Sequence, residues 1–353
     1  MKVTIHTEDS PKGEITIYRL ENSHGAAVTL SSLGAGIVGI EVPDANGKLA
    51  DVVLGYKNPA DYLYDGPCAG KTPGRYANRI ARGQLTIDGR EYQLAVNNGP
   101  NHLHGGPEGF QNQIWDCEMH GSEYVVFTLQ SPDGDENYPG NLTARVQYGW
   151  NDDNQLYIAL SAVTDAATVV NLTNHTYFNL SGESSGSVLD HMLYLNADTY
   201  LPTDDTLIPT GEMAPVAGTP MDFTEFKKIG AEIKADFPAL RYGKGYDNCW
   251  VLNPSEQNSM LKQAATLADP KSRRTLTVFT SQPAVQVYTG NWLNGSPIGK
   301  SGRSYNDYDG VAIECQGMPD APNHTNFPSQ ELQPDGEYMH YIVFAFSTIN
   351  DEE

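Results

Sequence analysis

The chain has 353 residues, 39% hydrophobic and only 19% charged, with 34 Gly, 22 Pro and 20 Tyr. That length supports a large buried core, and the composition is that of a turn-rich globular β protein rather than a disordered one. A formal net charge of −22 argues against nucleic acid, anionic membrane and phosphorylated substrates as partners, since all three need Lys and Arg to meet phosphate.

From the amino terminus, "MKVTIHTEDSPKGEITIYRL" carries no apolar leader segment, and no later stretch is apolar for long enough to cross a bilayer as a helix. Period-two alternation then recurs along the chain, in "EITIYRL", "GIVGIEV", "EYVVFTLQS", "ARVQYGW", "QLYIALSAV", "TLTVFTS", "AVQVYTG" and "EYMHYIVFAFS". "QLTIDGREYQL" predicts a hairpin turning at Asp88-Gly89. "TEFKKIGAEIKADF", residues 224–237, is the one good helix signal. Cys68, Cys117, Cys249 and Cys315 lie far apart with no C-x-x-C, which reads as four reduced thiols in a cytoplasmic protein. No linker composition divides residues 1–353 and no repeat is present. The expectation is one all-β domain, a large antiparallel sandwich.

Three segments alternate oddly. In "TVVNLTNHTYFNL" (168–180) Val170, Leu172, Phe178 and Leu180 form an apolar face, while Asn171, Thr173, His175, Tyr177 and Asn179 form a polar face without charge. "AVQVYTG" places Gln286 and Tyr288 opposite Val285 and Val287, and "GVAIECQ" places Glu314 and Gln316 opposite Val311, Ile313 and Cys315. Strands with one apolar and one neutral polar face predict a wet cleft lined by many hydrogen-bonding groups, as sugar hydroxyls require. Each residue also has an ordinary reading. His175 alone suits a hydrogen-bonded structural histidine, Glu314 could be a buried carboxylate paired with Arg79, and Asp247 in "GYDNCWVL" could cap a turn. A second pattern, His102-x-His104-x-x-x-Glu108, has metal-ligand spacing like that of cupins, although the downstream His such a site needs has no good match. The acidic loop "PDGDEN" leaves a structural Ca²⁺ open.

Taken together, "GRYANRIARG", "NHLHGGPEGF", "NLTNHTYFNLSG", "YLPTDDTLIPTGE", "GYDNCWVL", "QVYTGNWL" and "ECQGMPDAPNH" resemble the successive signatures of the aldose 1-epimerase (galactose mutarotase) family, in order from residue 74 to residue 326. The resemblance implies a galactose mutarotase-like supersandwich with an open sugar-binding cleft, no cofactor and no catalytic metal, acting on free aldoses as a cytoplasmic monomer. It implies Glu314 as general base and His175 as general acid. Asn78, Arg79, His104, Tyr177, Asp247 and Gln286 would hold the sugar. On that reading Glu314 starts ionised and His175 protonated, and the two exchange a proton through the sugar. A glycosidase using Glu314 with Asp247, a cupin-like metal enzyme and a non-catalytic sugar-binding module are the competing classes.

Overall fold

Alternation of β-branched and aromatic side chains builds three principal antiparallel sheets in the computed structural model, which describes residues 1–255 and 259–349. The first follows chain order through Lys2–Ser10, Gly13–Glu21, Ala27–Ser31, Gly36–Pro43 and Leu49–Asp51. The second has nine strands, in the spatial order Asp116–His120, Tyr124–Ser131, Leu142–Trp150, Gln155–Thr164, Tyr338–Thr348, Arg274–Thr280, Lys262–Ala268, Met192–Leu195 and Lys227–Lys228. The third runs Tyr177–Phe178, Val311–Gln316, Ala284–Tyr288, Asp247–Val251, Thr199–Tyr200 and Ala214–Pro215.

Register explains how the third sheet serves two purposes. Val311, Ile313, Cys315, Val285, Val287, Trp250 and Phe178 turn inward and join one core cluster. That cluster also takes Leu20, Val28 and Leu30 from the first sheet and Val146, Ile158, Leu276 and Phe344 from the second. Phe178 meets Phe344 edge-on at 5.1 Å, fastening the third sheet to the second. Strand neighbours directly opposite one another share a face. The pairings Tyr177↔Ala312↔Tyr288↔Asp247 and Glu314↔Gln286↔Cys249 therefore collect the polar positions on the other face.

The hairpin expected at Asp88-Gly89 forms between Gln84–Ile87 and Arg90–Gln93, with both turn residues at positive φ (49° and 74°). Two expectations are corrected. Residues 224–237 are not a helix. They give the short strand Lys227–Lys228 and a 3-10 turn Ile229–Ala231, and the α-helix, Pro238–Gly243, begins only afterwards. Tertiary bonds replace the helical ones here: the Ile229 and Gly230 amides donate to the carbonyls of His191 and Leu189. Nor is 168–180 one strand whose whole polar side lines a cleft. Only Thr168–Val169 and Tyr177–Phe178 are strand, and both sets of side chains are buried. Asn171 donates to the Ala77 carbonyl, Thr173 to that of Cys315, and Asn179 to those of Gly186 and Asp309. Most of the polar row thus satisfies loop backbone. His175 and Tyr177 alone of that row line the cleft.

Candidate active site

Glu314 sits mid-strand in Val311–Gln316, a position that alternation turns away from the core. His175 is placed by the loop before Tyr177–Phe178. Its amide donates to the Lys71 carbonyl and its carbonyl accepts from the Gly70 amide, both at 2.9 Å. These two anchors bring Glu314 Oε1 within 3.5 Å of His175 Nε2, with the side chains only 2% and 5% exposed. Glu314 Oε2 and His175 Nδ1 have no hydrogen-bond partner among the described residues.

The glycine-rich loops supply the next wall. Asn78 and His104 both hold left-handed backbone (φ 64° and 53°), a conformation unusual outside glycine and common where a site fixes its geometry. The two are clasped: the His104 amide donates to the Asn78 carbonyl at 3.0 Å, and the Asn78 amide donates to His104 Nδ1 at 3.1 Å. That bond makes His104 Nδ1 an acceptor and leaves the proton of the neutral ring on Nε2. The His104 ring stands edge-on to His175 at 5.3 Å. Gly105 has no alternative residue, since a Cβ there would lie 1.8 Å from the Gly74 carbonyl oxygen.

Asp247 opens the strand Asp247–Val251 and faces the same cavity rather than capping a turn. Its Oδ1 accepts from Gln286 Nε2 at 2.7 Å, and its Oδ2 lies 3.7 Å from Arg79. Arg79 is steadied by donating from Nε to Asn98 Oδ1 at 3.1 Å. Tyr177 donates its hydroxyl to the Pro67 carbonyl and places its ring 5.0 Å from that of His175. Asn78, Arg79, His104, His175, Tyr177, Asp247 and Glu314 line a single cavity of about 530 Å³. Gln286 stands one layer back, behind Asp247, where it lines a small enclosed cavity with Asn78.

Burial governs the electrostatics. It pushes the Glu314 carboxyl well above the usual range; Asp247 adds repulsion and Arg79 opposes it. Burial lowers His175 to about 4, with the Lys71 charge acting in the same direction. His104 is held well below its ordinary value by burial first and then by its neighbours His175 and Arg79. Burial therefore works against both the Glu314 carboxylate and the His175 imidazolium, the two charged forms from which the sequence reading starts. The reason is desolvation, which penalises both charged forms.

Sequence reasoning missed Lys71 altogether. Its side chain is 1% exposed, ion-paired with Asp65, and it donates to the Tyr62 carbonyl at 2.6 Å. No periodicity marks a lysine whose burial depends on loop packing. The metal pattern, by contrast, comes apart. His102 spends both ring nitrogens on the Ala95 carbonyl and the Tyr138 hydroxyl, and Glu108 bonds Lys12 and Tyr64. His104 faces the cleft, and no group of three or more potential ligands occurs among the described residues.

The family model for aldose 1-epimerase matches residues 16–345. The chain belongs to the aldose 1-epimerase family. It is 41% identical to galactose mutarotase of Sus scrofa over 340 residues, 96% of each chain. It is 39% identical to aldose 1-epimerase of Escherichia coli K12, covering 96% of this chain and 97% of that one. Among solved structures, the aldose epimerase homologue of C. elegans superposes with a TM-score of 0.87 at 32% identity, over 98% of this chain and all of the other. Galactose 1-epimerase of Lactobacillus acidophilus gives 0.86 at 31%, over 99% and all. The all-β fold read from alternation is thus the fold of the family's aldose epimerases.

Proposed function

We propose that this protein is an aldose 1-epimerase, an isomerase that interconverts the α and β anomers of free hexoses such as glucose and galactose. The observation that carries the reading is a carboxyl and an imidazole 3.5 Å apart in a cleft otherwise furnished with sugar-holding groups. Mutarotation needs one proton taken from the anomeric hydroxyl and one given to the ring oxygen. The ring opens, the C1–C2 bond rotates, and reclosure yields the other anomer.

Glu314 is assigned as base and His175 as acid. Ring opening starts from carboxylate and imidazolium and ends with carboxylic acid and neutral imidazole. That final distribution is the one burial favours, so the ion pair is the high-energy form, with a strengthened base and a strengthened acid. Bound hydroxyls and Arg79 would hold the ionised form when sugar fills the cleft. Asn78, Arg79, His104 and Asp247 are read as hydroxyl partners, Tyr177 as a platform under His175, and Gln286 as the support that aims Asp247. The chemistry is proton transfer alone and calls for no cofactor.

We read residues 1–353 as one domain acting as a cytoplasmic monomer in hexose metabolism. A core cluster shared by the three principal sheets supports the single domain. No helix among the described residues is long and apolar enough to cross a membrane. The test is the optical rotation of freshly dissolved α-glucose with and without protein. Acceleration at micromolar protein supports the reading; an unchanged trace alongside cleavage of an aryl glycoside would instead favour a glycosidase built on Glu314 and Asp247. An unchanged trace with saturable sugar binding would leave a binding module.

A further inference from the structure

His175 supplies the imidazole of the reacting pair, yet its ring has few bonds of its own. Nε2 meets Glu314, and Nδ1 has no hydrogen-bond partner among the described residues. An imidazole that exchanges protons needs its ring oriented, and in many sites a group bonded to the second nitrogen does this. Here the backbone takes that task. The His175 amide and carbonyl are bonded to Lys71 and Gly70, and Asn174 Nδ2 donates to the Gly70 carbonyl at 2.8 Å. The segment "DGPCAGK" (65–71) that receives them makes two successive turns, with the Cys68 amide donating to the Asp65 carbonyl and the Lys71 amide to that of Cys68. Its two charged side chains then close on each other inside the protein, 1% exposed for Lys71 and 0% for Asp65. Lys71 Nζ also donates to the Tyr62 carbonyl at 2.6 Å and to Asn112 Oδ1 at 3.2 Å. Asp65 Oδ2 accepts from the Ala69 amide at 2.8 Å and the Tyr56 hydroxyl at 3.1 Å. A buried ion pair adds little net stability, because desolvation offsets the attraction. Stability alone therefore does not account for a lysine here.

We propose that Lys71, tied to Asp65, is a positioning residue for the reaction, which fixes where the His175 imidazole stands and keeps a second proton out of the reacting pair at mildly acid pH. The titratable groups facing that ring are Glu314 at 3.5 Å, His104 edge-on at 5.3 Å, and the phenols Tyr177 and Tyr288 at 5.0 and 6.3 Å between ring centroids. Arg79 and Asp247 share the cavity and pair with each other. Burial holds His175 down to about 4, and Lys71 is the charge that acts in the same direction. A buried cation beside the loop thus extends toward acid the range in which the pair holds one transferable proton. The main-chain bonds place the ring, and a small misplacement of a reacting group is costly in rate. This rests on the epimerase reading and adds a residue to its machinery.

The experiment measures kcat and KM for glucose anomer interconversion against pH in wild type, Lys71→Met and the double variant Asp65→Asn/Lys71→Met, with folding checked by circular dichroism. Methionine keeps the length of the side chain without its charge, and the double variant leaves no unpaired carboxylate should the single one fail to fold. The expected result is a kcat about ten-fold lower with KM within about two-fold, and an acid limb moved to higher pH. A merely structural role would leave that limb in place. In the folded double variant, an acid limb where wild type has it, or a kcat equal to wild type's, overturns the inference. Failure of both variants to fold would make the pair structural and overturn it too. Wild type inactive on glucose would instead defeat the epimerase reading itself, which separates the two failures.

Discussion

The Glu314–His175 contact sets the sharpest expectations at the level of single residues. Glu314→Gln preserves shape and one acceptor but removes the base. Turnover of glucose should fall by at least about 10²-fold while sugar affinity stays within a few-fold. A folded variant with near-normal turnover would return Glu314 to a structural role. The pH profile follows from the direction of the two shifts. Between the His175 value of about 4 and the raised value of Glu314 the pair holds a single transferable proton, and activity should be flat there. Below about 4 the pair gains a second proton as His175 protonates, and kcat/KM falls. At high pH the pair loses its last proton and kcat/KM falls again. His175→Asn should therefore erase the acid limb, whereas His104→Asn should keep it; the opposite result would show the histidines assigned the wrong way round. Asp247→Asn leaves the proton-transfer groups intact, so KM should rise more than kcat falls. Because Asp247 repels the Glu314 charge, the same change should also move the alkaline limb to lower pH.

At the scale of elements, the third sheet is where core and chemistry share strands. Phe178 and Tyr177 are consecutive residues on opposite faces, one packed on Phe344 and the other under His175. Phe178→Ala should cost about 3–5 kcal/mol, as deleting a fully buried ring does. Urea denaturation of the variant checks that loss, and a midpoint within error of wild type would mean that the two sheets are fastened elsewhere. Much of this arrangement was legible beforehand. Alternation in "AVQVYTG" and "GVAIECQ" located both strands and put Glu314 away from the core. It failed for "TVVNLTNHTYFNL", because loops from residues 70–77, 309 and 317 pack against that segment and make its polar side chains backbone partners. The helix signal at 224–237 failed for a related reason: local periodicity was outcompeted by bonds to His191 and Leu189.

For the whole molecule, the cleft is assembled from residues in segments 66–67, 78–79, 98–104, 175–177, 205–207, 242–247, 288–292 and 314, brought together by long-range pairing. Proton transfer between an imidazole and a carboxyl needs no ion, and the residues of the His102–His104–Glu108 pattern are committed to separate partners. Exhaustive chelation should accordingly leave the rate of anomer interconversion unchanged. A large loss restored by Fe, Mn or Zn would revive the cupin-like reading, and a fall in melting temperature alone would indicate a structural ion. The acidic loop at 132–137 already uses Asp133 to accept from Gly140 and Asp135 to accept from Ser131.

Sequence alone determined the β class, because period-two patterning is imposed by the geometry of a strand and needs no partner to be visible. It also marked the strands that carry a second, polar face, although the cleft itself adds Arg79, Asp247 and Glu314 to its neutral groups. Tertiary structure decided which of those side chains reach the cavity, since only packing shows that Asn171 and Thr173 serve backbone while His175 serves the site. It decided that Arg79 pairs with Asp247 and not with Glu314. It also set the direction in which burial moves Glu314 and His175. Desolvation is a property of everything packed around a group, so no local pattern around Glu314 or His175 could encode it.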